Sequence, residues 1–163
     1  MYALGHYGVA LFVYAPVGFL LAGTDPTLAL VGGAGVLALS TVPDYDLRIP
    51  FLTHRGITHT LLFTVVVAAL AGAVGWQLGT GTYTPLGGPV ESAGFAAGIA
   101  ALGLGSHILG DVLTPAGVAV FWPLSSHEYT VGLTRADNRI ANWGLFGVGV
   151  FAATAAVWLA VQL

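Results

Sequence analysis

The chain has no cysteine, no lysine and a single methionine in 163 residues, and charged side chains make up only 7% of it. Without cysteine there are no disulfides, thiolate nucleophiles or sulfur-rich zinc sites, so any metal must be held by nitrogen and oxygen. Four arginines against seven acidic residues leave a formal charge of −3. That balance offers no basic stripe and excludes nucleic acid as a partner class. With 56% hydrophobic residues and a mean hydropathy of +0.88, so little charge also excludes a water-soluble domain and points to an integral membrane protein. The 24 glycines follow no three-residue period, which excludes a collagen-like chain. They lie mostly in apolar runs, where small residues let spanning helices approach closely. The first residues lack a positive segment, and no small-x-small site follows the first apolar run, so the first helix is expected to be retained.

What is present is a set of five apolar runs. A hydrocarbon core of about 30 Å needs roughly 20 such residues per helix. The first run covers Tyr2 to Ala22, with Pro16 as an expected kink, and ends at Gly23-Thr24-Asp25-Pro26. The second begins there, with Asp25 placed to cap it and Pro26 at its first position, and stops before Pro43. The third runs from about Thr58 to Leu78, followed by a Gly/Pro-rich loop from Gly79 to Val90. The fourth covers Ser92 to Leu113, stopped by Pro115, and the fifth covers Ile140 to Leu163 after a mixed segment, Ala116 to Arg139. Asp137 or Asn138 is the expected cap of the fifth helix, and the Gly94-x3-Gly98 pair reads as a helix-packing motif. The fold expected is all-α: one domain over residues 1–163, an integral membrane bundle of about five transmembrane helices.

Alternating crossings make a strong geometric statement. Let the near face be the one where the first helix begins. His6, the Asp44-Tyr45-Asp46 turn, His54 and His59, and the pair His107 and Asp111 then all fall at that face, though they come from four segments. Arg48, Arg55, Arg135 and Arg139 fall there too, which by the positive-inside rule makes the near face cytoplasmic. Trp122 and Trp143 at one boundary, and Trp76 and Trp158 at the other, suit aromatic belts.

Histidine and aspartate so placed are metal-ligand chemistry. His107 and Asp111 are four residues apart, one turn along the same helical face, so one cation can engage both. Two carboxylates at a helix C-terminus, Asp44 and Asp46, oppose the helix dipole and call for a cation. His54 and His59 flank a loop-to-helix junction in which Gly56 allows a tight backbone. His6 completes a set of seven candidate ligands: His6, Asp44, Asp46, His54, His59, His107 and Asp111. That number suits two divalent ions bridged by a carboxylate, or one ion with a generous outer shell; zinc fits the donors best, with manganese or magnesium as alternatives. Arg55 is the candidate catalytic residue, placed to hold an anionic group. His127 and Glu128 lack the second histidine of a metalloprotease motif and read as outer or substrate-side residues.

The motifs Pro43-Asp44-Tyr45-Asp46, His54-Arg55-Gly56-Ile57-Thr58-His59-Thr60 and Ser106-His107-Ile108-Leu109-Gly110-Asp111-Val112-Leu113-Thr114-Pro115-Ala116-Gly117, followed by Trp122-Pro123, resemble the YdjM-like family of membrane-bound metal-dependent hydrolases. The likeness covers nearly the whole chain in motif order. It implies an integral membrane protein with a metal-hydrolase site, an activity itself largely inferred for the family, and it supplies no substrate. The chain departs from the pattern at Tyr45, where an aliphatic residue is usual, at Thr60, where serine is common, and at Gly110, where a larger aliphatic is common. None of these removes a candidate ligand.

The expected function is therefore a metal-dependent hydrolase in the cell membrane, acting on a phosphoester such as a lipid headgroup through a metal-activated water. The bilayer is its partner and a membrane lipid its candidate substrate. A metal-ion transporter or sensor using the same cluster is the alternative, and a non-catalytic protein whose His/Asp pairs only join helices is a third.

Overall fold

The computed structural model describes residues 1–163 apart from Tyr83 and Pro85, so the part of the expected 79–90 loop that falls on those two lies outside the described residues. Five α-helices form the protein: α1 (Ala3–Ala22), α2 (Pro26–Leu39), α3 (Leu61–Gly79), α4 (Pro89–Val112) and α5 (Arg139–Gln162). All five are long and apolar enough to cross a membrane, α2 once the 3-10 turn Pro43–Arg48 is counted with it. Among the described residues there is no sheet, only one isolated antiparallel bridge between Val118 and Tyr129 in the long near-face segment.

The ends of the helices follow local chemistry. Asp25 caps α2 by accepting from the Thr27 amide at 2.7 Å, with Pro26 behind it. Asn138, the second of the two expected caps, accepts from the Ala141 amide at 3.2 Å and opens α5. α1 continues through Pro16 without a break. α3 starts later than expected, at Leu61, because Ile57–His59 coil into a 3-10 turn and Thr60 becomes the cap, accepting from Phe63 at 3.1 Å. α4 starts earlier, since Pro89 can occupy a first-turn position without needing its missing N–H.

Two helix pairs dominate the packing. α1 lies on α5 where Gly8 meets Gly149 so closely that a methyl group at Gly149 would overlap the Gly8 carbonyl. α3 lies on α4 through a stripe of small residues, in which a methyl at Gly72 would come 3.3 Å from Ala97 Cβ and one at Gly79 would come 2.6 Å from the Gly88 carbonyl oxygen. α2 and α4 join the pairs around a core of Ala10, Tyr14, Val36 and Ile99. The Tyr14 hydroxyl is satisfied there, donating to the Ala29 carbonyl at 2.6 Å. The expected packing role of Gly94 and Gly98 is corrected: a Cβ at either would meet nothing within 4 Å, because both point out of the bundle.

Candidate metal centre

Four segments bring donors to the near end of the bundle. His6 comes from the first turns of α1, Asp44 from the 3-10 turn after α2, His59 from the 3-10 turn before α3, and His107 with Asp111 from the last turns of α4. His6, His59 and His107 are 0% exposed and Asp111 is 1% exposed, whereas the side chain of Asp44 keeps 27% exposure and marks the open side.

Four of these donors converge. Among His59 Nε2, His107 Nε2, Asp44 Oδ1 and Asp111 Oδ2, five separations lie between 3.1 and 3.6 Å. The edge of a tetrahedron built on zinc bonds of about 2.0–2.1 Å is roughly 3.4 Å, so the set has the dimensions of such a cage. The tautomers agree. His107 Nδ1 lies 2.6 Å from the Ser40 carbonyl, which can only accept, so that nitrogen carries the hydrogen. His59 Nδ1 lies 2.9 Å from the Thr58 hydroxyl and 3.3 Å from Asp46 Oδ2; since the hydroxyl donates to Asp46, His59 Nδ1 donates as well. Both Nε2 lone pairs therefore face each other at 3.1 Å beside two carboxylate oxygens. Four converging acceptors repel unless a cation lies among them, and Asp111 Oδ2 is buried with no hydrogen-bond partner in the protein. The donor set fits a divalent ion.

A second group of donors adjoins the first. The His6 ring stacks on that of His107 at 3.8 Å, with 6° between their planes. Its Nε2 is 3.6 Å from Asp111 Oδ1 and 4.0 Å from Asp44 Oδ2, the outer oxygens of the same two carboxylates. The Met1 amino group rests on this side as well, 3.0 Å from Asp111 Oδ1 and 3.2 Å from His6 Nε2. Gly110 makes room for the ring, since a Cβ there would come 2.9 Å from His6 Nδ1.

Arg55 anchors the cage from outside. Its Nη2 donates to Asp111 Oδ1 at 3.0 Å, and its Nη1 donates to Thr114 Oγ1 at 3.1 Å and the Gly117 carbonyl at 3.0 Å. The backbone of Arg55 has φ 62°, a left-handed conformation that costs an arginine about 1 kcal/mol or more. In that conformation its own amide bonds Asp46 Oδ2 at 3.3 Å while its side chain turns inward to Asp111.

Of the seven expected ligands, five thus meet at one site: His6, Asp44, His59, His107 and Asp111. The structure sets Asp46 behind the His59 ring, as a 1% exposed hub that also takes bonds from Thr58 Oγ1 at 2.9 Å and the Arg55 amide. His54 pairs with that hub through Nδ1 at 3.0 Å; Asp44, His54 and His59 also form a looser group whose ligand atoms lie within 4.8 Å of one another. His127 and Glu128 are exposed in the near-face segment, with the His127 ring edge-on to Tyr129. Nearby, Arg135 beside Asp137 holds that carboxyl below its usual range. Sequence reasoning missed Ser40, which acts through its carbonyl and so leaves no side-chain signal. It also missed Thr114, which props Arg55, and Asn142, which accepts from the Tyr2 amide at 3.0 Å and fixes the start of α1 to α5.

Five spanning helices with a buried His/Asp cluster at one end define a multi-pass membrane protein with residues able to hold a metal ion. The chain belongs to the YdjM inner membrane protein family, whose pattern matches residues 1–163, the whole chain. Comparison with the curated proteins and with the solved structures finds no match.

Proposed function

We propose that this protein is a membrane-embedded, metal-dependent hydrolase of phosphoesters. The observation that carries the reading is the convergence of two imidazole lone pairs and two carboxylate oxygens, tautomerically set, with His59, His107 and Asp111 buried and Asp44 part-exposed. Zinc is the ion we favour, because two nitrogens and two oxygens at tetrahedral spacing suit it better than magnesium or manganese, which prefer six oxygens. His6, Asp44 and Asp111 would be the residues to hold a second ion, in place of the Met1 amino group that rests there.

A bound divalent ion supplies Lewis acidity and lowers the pKa of a water at the site. The chain's own groups supply the rest. Asp46 and the Ser40 carbonyl hold His59 and His107 with Nε2 facing inward. Arg55 fixes the outer oxygen of Asp111 and offers a positive charge to an incoming anionic ester. The four arginines gathered at this end orient the site toward the cytoplasm.

Transport is the weaker reading because it needs polar groups continuing across the bundle. Among the described residues the buried polar side chains gather at the near end, with only Ser92 and the Tyr14 hydroxyl, which is bonded to the Ala29 carbonyl, toward the far one. The test begins with metal analysis of detergent-purified protein. We expect about one to two divalent ions per chain, lost in His59→Ala and Asp111→Ala, and release of phosphate or alcohol from a phosphoester panel that chelation stops and zinc restores. Protein that purifies without metal and cannot be loaded would sink the reading. Bound metal with ion flux into liposomes and no turnover would favour transport.

A further inference from the structure

Two cavities share Trp122 as a wall, and Arg55, which bonds Asp111 of the cage at 3.0 Å, lines one of them. One, of about 330 Å³, lies over Arg55 with Thr53, Gly56 and Ile57 around it. The other, of about 340 Å³, is lined entirely by apolar side chains, among them Leu61, Leu62, Val65, Phe121 and Leu124. Of the five N–H groups of the Arg55 guanidinium, three donate to Thr114, Gly117 and Asp111; the others have no acceptor among the described residues. Leu61 follows His59 by two residues, and its amide is tied to the Val120 carbonyl at 2.9 Å. The apolar wall therefore starts no more than about 7 Å of chain from a cage residue.

The groove also opens where a lipid tail would be. Leu61, Leu62 and Val65 are the first turns of α3, at the near boundary of its membrane-spanning stretch, and are 40%, 48% and 63% exposed. Leu124, on the opposite wall, is 93% exposed. Such side chains face water only at a cost, and at this depth their natural neighbours are acyl chains.

We infer that this paired cavity binds one phosphate-bearing lipid from the near leaflet, its phosphate on the free N–H groups of Arg55 and one acyl chain lying between Leu61, Leu62, Val65 and Phe121, Trp122, Leu124. Entry is then lateral, from the bilayer rather than from water. The inference rests on the hydrolase reading for its purpose, since it names the class of ester the site takes, but binding is tested without turnover.

Metal-loaded protein in zwitterionic vesicles is irradiated with a non-hydrolysable phosphonate analogue of phosphatidic acid carrying a diazirine on its acyl chain, and labelled residues are located by mass spectrometry. Label is expected to concentrate on 61–65 and 121–124, at least fivefold above the same chain presented as diacylglycerol. Val65→Trp, which fills the groove from a lipid-facing position, should cut that label about tenfold, whereas Val74→Trp, farther along α3, should leave it unchanged. Unlabelled phosphatidic acid should compete, and inorganic phosphate should not. Even label over all lipid-facing helices, equal label with diacylglycerol, insensitivity to Val65→Trp, or competition by inorganic phosphate would each overturn the inference. Concentrated label with no hydrolysis of any lipid phosphoester would instead leave the groove standing and remove the hydrolase reading.

Discussion

At the scale of residues, the centre depends on which atom of each side chain faces which way. Asp46 is the clearest case: it touches His59 Nδ1, Thr58, His54 and the Arg55 amide, so it fixes the ring that faces the cage. Asp46→Asn keeps the shape but removes the charge that supports the Nδ1 hydrogen. Metal affinity should fall roughly 10- to 100-fold, measured by competition with a chromophoric chelator, while the number of ions bound at saturation stays the same. Arg55 tests a different link. Arg55→Gly relieves the left-handed backbone yet frees Asp111 from its guanidinium partner, so thermal stability should change little while turnover drops by about 10²-fold or more. The identities of these side chains were legible in the sequence, because charge in so apolar a chain needs a reason. Their directions were not. The division of Asp44 and Asp46 into an inward and a backing carboxylate is set by the twist of one 3-10 turn, and the Ser40 carbonyl belongs to every residue type alike.

At the scale of elements, the junction before α3 carries the most information. The spans themselves could be read from hydropathy, within a few residues at each end. The start of α3 could not, because Ile57–His59 spend one turn in a tighter coil before Thr60 opens the helix, and that turn is what swings His59 inward. Thr60→Ala removes the cap and should cost about 1 kcal/mol, seen as a lower thermal midpoint, while Thr60→Ser should restore it. The α3–α4 seam was read from the wrong glycines. Gly94 and Gly98 drew attention by their four-residue spacing, yet Gly72, Gly75 and Gly79 make the contacts, and only the pairing of α3 with α4 decides which glycines meet a partner. Gly75→Leu would drive a side chain into the Ser92 backbone, and it should lower expression of folded protein far more than Gly94→Leu.

At the scale of the whole molecule, the His/Asp cluster is the place where four separate segments meet, while elsewhere the helices associate mainly as the α1–α5 and α3–α4 pairs with α2 between them. An ion bound only by the folded chain adds stability by mass action, about 4 kcal/mol when free metal stands at a thousand times its dissociation constant. Chelation should therefore lower the thermal midpoint of the wild-type protein in detergent and leave that of His59→Ala where it is. The convergence at one face followed from counting crossings, and one helix more or fewer would have scattered the same residues.

The order of the donors along the chain has a further consequence. Residues 6, 44 and 59 enter the bilayer early, while His107 and Asp111 arrive only when the fourth crossing is in place. Half of the inner cage is then still missing from any shorter nascent chain. On the proposed metal reading, capture of an ion would be a late event in biogenesis, and a cell starved of metal would accumulate a chain fully threaded through its membrane but not yet clasped.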